Sequence, residues 1–173
     1  MAETHAIGIS TFKIGAIATD GSMGQTLTAL PDTVKGSCKF MSTEQGVTPF
    51  YADNKMFPVE AIANGGILTT VEGALYDIDP DTLAMFLGGT ATAAVPSPAA
   101  AAFYEAGTTI PQVEKSFEIV TKNGVKTEVV RMLFTSMIDW ALSDEGLFTL
   151  KFKGTVLAPT DGTSKPYKIT MPI

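Results

Sequence analysis

The stretch VEKSFEIVTKNGVKTEVVRMLFTSMI, residues 113–138, consists of two alternating apolar and polar runs around Asn123-Gly124. Alternation with a period of two is typical of strands that bury one face. Asn-Gly tolerates positive φ at both central positions of a type I′ turn, whose twist matches that of the flanking strands. The sequence therefore predicts a hairpin with strands over 113–120 and 126–138. This hairpin indicates a mainly β fold.

Shorter alternating runs predict the remaining strands, and turn-forming residues bound most of them. A Gly-led run over 65–78 ends at Asp-Pro, and a run over 145–157 contains Gly154, which we interpret as a β-bulge. Further strands are predicted over 6–18 and 33–41 and, as an edge strand stopped by Pro172, over 167–171.

Helix signals are few and are concentrated at residues 79–88. Asp79 can cap the free amides, Pro80 suits the first helical position, and Gly88 or Gly89 can adopt the left-handed stop. We predict a two-turn helix here, with one apolar face that packs onto a sheet and consists of Leu83, Phe86 and Leu87. Residues 97–107 carry the same signals and form a second helix candidate, although a loop-like Thr-Ala-rich stretch precedes them.

Residues 44–60 predict a long hairpin loop with its tip at Ala52-Asp53-Asn54-Lys55. Loops of this length are usually functional or disordered. Exposed aromatic residues normally have a partner, and we expect this hairpin to be poorly ordered in the free subunit and ordered by assembly. The residues that we expect to contact another subunit are Phe50, Tyr51, Asp53, Asn54, Met56 and Phe57.

Residues able to carry catalysis or bind a metal are scarce. The single cysteine, Cys38, and the single histidine, His5, provide neither a disulfide nor a thiol or imidazole metal site. Asp77, Asp79 and Asp81 have the spacing of a calcium loop, but the positions that require glycine and a bidentate acid are Thr82 and Gly88. We predict no catalytic residues, no metal and no cofactor. We expect Trp140 to be a core residue or a subunit anchor rather than a sugar-stacking platform.

The charge pattern is acidic and sparse. The 173 residues carry a net charge of −6, and only 17% of them are charged, below the roughly 25% of an ordinary soluble domain. This charge balance argues against a freely diffusing, genome-coating or membrane-surface protein that works through a basic face, and the low charge is typical of a subunit whose surface is covered by assembly. Residues 56–114 contain no base, whereas eight bases lie from Lys115 onward. The first residues lack the features of a signal peptide, so we expect synthesis in a reducing cytoplasm.

The order of these elements resembles the major tail tube proteins of long-tailed bacteriophages. The residues that carry the resemblance are Ala52-Asp53-Asn54 followed by Val59-Glu60 in the hairpin, and the helix stretch with Asp79, Leu83-Ala84 and Leu87-Gly88. The resemblance covers residues 40–90 well and the rest of the chain in layout.

The resemblance implies a β-sandwich or partly barrel-like subunit, as one domain over 1–173, with one flanking helix and the long hairpin. It also implies six-subunit rings that stack into the hollow tail of a virion, through which double-stranded DNA passes. A tape measure protein and a tail terminator are the other implied partners, and no membrane is involved. Acidic walls would repel DNA without retaining it, and the acids that we expect at the lumen are Glu44, Glu60 and Glu72.

Two other classes of protein fit the same residues. One is the inner-tube subunit of a contractile tail or injection apparatus, which a sheath-binding outer surface would distinguish. The other is a non-viral binding module or pilus-like β subunit, which an export signal would support. Hollow tubes or six-fold rings of the purified protein would decide among these classes.

Overall fold

The computed structural model describes residues 8–76, 78–96, 99–109, 111–140 and 148–172. It confirms a mainly β fold with one short helix, α1 (Pro80–Leu87). The strands are β1 (Ile9–Gly15), β2 (Thr28–Ala29), β3 (Lys39–Ser42), β4 (Gly46–Phe50), β5 (Glu60–Asn64), β6 (Thr69–Leu75), β7 (Thr90–Thr92), β8 (Val95–Pro96), β9 (Ala99–Ala100), β10 (Phe103–Glu105), β11 (Val113–Thr121), β12 (Lys126–Trp140), β13 (Phe148–Val156) and β14 (Tyr167–Thr170). Within the described ranges, no helix has the length and apolar character needed to cross a bilayer.

One large antiparallel sheet dominates the structure, with the strand order β2-β1-β11-β12-β13-β6-β3. The predicted hairpin of β11 and β12 lies at its centre. β12 is long enough to share one edge between two partners, because its residues 126–129 pair with β14 and its residues 132–140 pair with β13. The other named strands form three two-stranded ladders, β4-β5, β7-β10 and β8-β9.

The turn between β11 and β12 differs from the predicted type I′ turn. The Gly124 amide donates to the Thr121 carbonyl at 3.0 Å, and the Thr121 amide donates to the Val125 carbonyl at 2.9 Å. These bonds define a three-residue loop in which Gly124 takes the left-handed conformation, with φ of +84°. The side chain of Thr121 also accepts from the Val125 amide at 2.9 Å, which favours the longer loop.

The sheet curls around a core of phenylalanine rings that meet in stacked and edge-to-face contacts. Phe12 on β1 lies 6.2 Å from Phe152 on β13, although two strands separate them in the sheet. The segment after β2 links the two margins, since the Leu30 amide donates to the Phe12 carbonyl at 2.9 Å and Thr33 forms a bridge with Leu75. The ladders of the described residues do not close into a barrel.

Helix α1 covers one side of this core. The Asp79 carboxylate accepts a hydrogen bond from the Thr82 amide at 2.7 Å, and Pro80 begins the helix. Leu83 and Phe86 are buried, and Leu87 packs against the core from a partly exposed position. The chain leaves through Gly88 and Gly89, both with positive φ; at Gly89 a side chain would lie 2.2 Å from the Glu105 carbonyl.

Two further local predictions are wrong. The helix candidate over 97–107 includes Ala99–Ala100 and Phe103–Glu105, which are extended, and the latter pair with β7; Ser97 and Pro98 lie outside the described residues. Gly154 is not a bulge, because it pairs in regular register with Phe134 and Val71. Glycine is required there because an added Cβ would lie 2.1 Å from the Met132 sulfur.

Candidate assembly surface

The long hairpin extends the β3–β6 ladder beyond the edge of the main sheet. Ser42 pairs with Thr69, and the Thr43 amide donates to the Leu68 carbonyl at 2.9 Å. The ladder then continues as β4 and β5, and the chain reverses at the predicted tip, where the Lys55 amide donates to the Ala52 carbonyl at 3.0 Å. We call residues 41–68 the projecting hairpin.

The projecting hairpin is exposed along its whole length, with Ala52 alone half-buried. Of the nineteen large exposed hydrophobic residues in the described part of the chain, ten lie within it. A two-stranded hairpin is marginally stable in water unless its apolar face packs on another element. We therefore expect a partner to cover this surface.

Its two faces differ in composition, as the register of β4 and β5 establishes. Residues directly opposite one another share a face, which groups Val47, Pro49, Ala61 and Ala63 on one side. That face consists of apolar residues only. The opposite face is mixed and carries Gly46, Thr48, Phe50, Glu60, Ile62 and Asn64.

The six predicted contact residues lie together in the distal half of the projecting hairpin. Met56 and Phe57 are its most exposed large hydrophobic side chains, at 87% and 77%, and Tyr51 is also exposed. Phe50 ends β4, whereas Asp53 and Asn54 occupy the exposed turn. Contact of these residues with another subunit remains a proposal.

The three predicted lumen acids occupy different environments. Glu44 and Glu60 are exposed on the projecting hairpin. Glu72 lies on the main sheet in one row with Lys39 and Lys153, and its carboxylate is 2.7 Å from the Lys153 ammonium. The hydrogen bond from Lys153 lowers the pKa of Glu72, and so does the positive charge of that lysine. Glu72 therefore belongs to an ion pair, whereas Glu44 and Glu60 present their charge to solvent.

A second apolar surface, which was not predicted from the sequence, lies where β12 ends. Trp140 is not a core residue, since it is 61% exposed and its ring contacts Phe148 at a centroid distance of 5.2 Å. Two residues earlier on β12, Ile138 contributes to a groove of about 430 Å³ between α1, β10 and β12. The groove is lined by Leu87, Tyr104, Ala106, Gly107, Thr108, Thr109, Pro111 and Ile138. The only sequence signal for this surface was the prediction that Trp140 could be a subunit anchor.

The residues that could bind a metal or take part in catalysis are dispersed over the described part of the chain. No cluster of three or more His, Cys, Asp or Glu side chains among them could hold a metal ion. Cys38 is half-buried against the core, with its sulfur 3.5 Å from the Ser37 hydroxyl. Lys151 and Lys153 on β13 each pair with an acid, Asp139 and Glu72 respectively. His5 and Asp77 lie outside the described residues.

Comparison with known proteins gives structural likenesses and no sequence match. No protein-family model matches the chain, and no curated protein sequence matches it. A solved structure described as the tail of an empty GTA particle, computed with helical refinement and C6 symmetry, is similar over 94% of this chain and 95% of that chain. The TM-score is 0.49 and the sequence identity is 14%. A likeness at this level does not establish a shared family.

Proposed function

We propose that this chain is a structural subunit of a phage-type tail tube. In this role, copies form hexameric rings that stack into a hollow tail for the passage of double-stranded DNA, and the chain acts as a virion component rather than an enzyme. The motif resemblance of residues 40–90 supports the choice of this assembly. The main observation that supports self-association is that the projecting hairpin exposes ten large apolar side chains.

The energetic argument favours association through the projecting hairpin. Fully burying a large apolar side chain contributes about 1.5–3 kcal/mol, and the hairpin offers several such side chains at its distal end. Holding its backbone in one conformation costs about 1–2 kcal/mol per residue. The ladder between β4 and β5 offsets part of that cost in the free subunit, and packing against another copy would offset the rest.

A deletion of residues 47–63 tests this role without disturbing the sheet. Gly46 and Asn64 are directly paired, so the deletion joins two positions that are already adjacent in space. The new Gly-Asn dipeptide suits a type II′ turn, which has glycine at its first central position. We therefore expect a folded subunit with an unchanged main sheet that has lost assembly.

The measurement is electron microscopy of the purified proteins, together with amide hydrogen exchange. The parent chain should form hollow tubes or six-fold rings, and the deletion variant should not. In the parent, amides of 41–68 should exchange rapidly in the free subunit and slowly in the assembled form. Normal tubes from the deletion variant, or a parent that stays monomeric at high concentration, would refute the proposal.

A further inference from the structure

Two apolar surfaces of this chain lie at opposite ends of the same strands. The projecting hairpin leaves the sheet at the Ser42–Thr69 pair. At the opposite end of the same strands, Leu75 on β6 pairs with Leu150 on β13, and Trp140 on β12 pairs with Phe148 on β13. At about 3.3 Å per residue, the span of β6 alone separates the two ends by roughly 20 Å. The hairpin therefore projects away from the groove of its own chain.

The surface at the far end combines the groove with the adjoining end of β12. Ile138 forms part of the groove, and Trp140 is the next residue on the same side of β12. This side of β12 faces α1, as shown by the hydrogen bond from the Ser136 hydroxyl to the Phe86 carbonyl at 2.9 Å. We call Leu87, Tyr104, Pro111, Ile138 and Trp140 the receiving surface.

We infer that the receiving surface binds the distal part of the projecting hairpin, Met56 and Phe57, of a second copy of this chain. The inference rests on the proposed self-association and specifies which surfaces meet. The two surfaces are different and lie at opposite ends, so their contact is head-to-tail and leaves one free surface of each kind. Such a contact propagates, whereas hairpin-to-hairpin pairing would stop at a dimer.

The chemistry of the two surfaces is complementary. The residues lining the groove carry no charge, and neither does the segment Met56-Phe57-Pro58. The groove is open and has a volume of about 430 Å³, so side chains can enter it from outside the subunit. Methionine adapts to irregular apolar grooves, and a tryptophan at an interface is a frequent source of binding energy.

Two variants test the inference by complementation. The tip variant carries Met56→Ser and Phe57→Ser, and the groove variant carries Ile138→Ser and Trp140→Ser. Each variant alone should lose tubes, because each lacks one of the two surfaces. An equimolar mixture should give a discrete larger species containing both variants, detectable by sedimentation velocity, that does not grow into tubes.

Matched controls separate surface from fold. Met137→Ser removes a side chain with 58% exposure from the opposite face of β12, close to the 61% of Trp140, and should leave assembly intact. Met171→Ser, with 57% exposure, is the control for the tip. A groove variant that forms tubes like the parent would overturn the inference, and so would a mixture that behaves as the two separate proteins.

Cysteine pairing provides a second readout that does not depend on the groove variant. In a Cys38→Ser background, separately purified Phe57→Cys and Ile138→Cys chains should form a mixed disulfide when combined and oxidised. Phe57→Cys with Lys122→Cys, an exposed position at the β11–β12 turn, should not. Equal yields from both combinations would contradict the inference. If the parent assembles, that failure leaves the proposed function standing; a parent that never assembles refutes both.

Discussion

The carboxylate of Glu118 accepts a hydrogen bond from the ammonium of Lys13 at 2.8 Å, directly across the β1–β11 ladder. Lys126 approaches the second oxygen of the same carboxylate at 2.9 Å. The Glu118 side chain is 8% exposed, whereas those of the two lysines are 38% and 39% exposed. A nearly buried anion is thus held between two cations that keep contact with water.

The Glu118→Gln variant should destabilise the subunit near neutral pH. Losing hydrogen bonds to a charged group costs about 1.5–3 kcal/mol, and both lysines can regain water. The control Glu128→Gln removes a more exposed partner of Lys126 and should cost less than about 1 kcal/mol. Urea unfolding at pH 7 measures both differences; equal costs would contradict the special role of Glu118.

The contacts of Glu118 with Lys13 and Lys126 also make the stability of the subunit depend on pH. Burial raises the pKa of Glu118, but the hydrogen bonds from Lys13 and Lys126 outweigh it, so the pKa lies below its usual range. A lowered folded-state pKa contributes stability above the unfolded-state pKa, about 4.3, and this stability is lost as the pH falls through the folded-state pKa. The difference between parent and Glu118→Gln should therefore shrink below about pH 4.3.

Phe86→Ala tests how helix α1 is attached. Phe86 is 1% exposed, and its ring lies 5.4 Å from Phe152 and 5.5 Å from Phe134. Truncating a buried phenylalanine costs about 3–5 kcal/mol, which lowers the Tm of a chain of this size by roughly 10 °C. The exposed Phe103→Ala is the control and should shift the Tm little. A Tm for Phe86→Ala within a degree of the parent would mean that the helix does not bury this face.

Gly154 and Met132 form a pair suited to a double-mutant cycle. Gly154→Ala places a methyl group against the buried Met132 side chain and should cost about 1–3 kcal/mol. Met132→Ala alone leaves a cavity and should cost about 2–5 kcal/mol. Because the new methyl group occupies part of that cavity, the double variant should cost less than the sum. Gly66→Ala, where an added Cβ meets open space, should be nearly neutral; strict additivity would contradict the packing argument.

If the proposed tube conducts DNA, acids of the projecting hairpin should keep the lumen from binding it. Glu44→Lys and Glu60→Lys should leave assembly nearly intact and slow DNA ejection, more so at low salt, because wall lysines exchange for the counterions of DNA. Glu72→Lys should in addition destabilise the sheet by facing Lys153.

An ejection assay on assembled particles measures the rate of DNA release, with Glu105→Lys as a control outside the hairpin. A cryo-EM map with an inner wall of Lys115, Lys122, Lys126 and Arg131 would contradict the idea.

Local signals predicted the elements that local chemistry determines. The Asp79-Pro80 start and the Gly88-Gly89 stop located α1 because capping depends on neighbouring residues. The β11–β12 hairpin and the tip at Ala52–Lys55 followed in the same way from turn residues. The Ser97-Gly107 candidate failed because the pairing of Phe103–Glu105 with β7 overrides the helix signal.

Long-range packing was not predictable from the sequence. Nothing near Gly154 indicates that Met132 occupies the space a side chain would need. The groove beside Ile138 combines residues from α1, β10 and β12, and no local pattern brings these elements together. The hairpin half of the candidate interface was therefore predictable from one segment, whereas the receiving half required the fold.

The position of Trp140 determines which part of the protein its intrinsic fluorescence monitors. The chain has a single tryptophan, which lies outside the phenylalanine core at the exposed end of β12. Its intrinsic fluorescence consequently reports on the solvation of that end of the molecule, while loss of the core changes the spectrum only indirectly. An emission shift to the blue during association, without any change on mild destabilisation of the core, would give a label-free kinetic record of contact at this end.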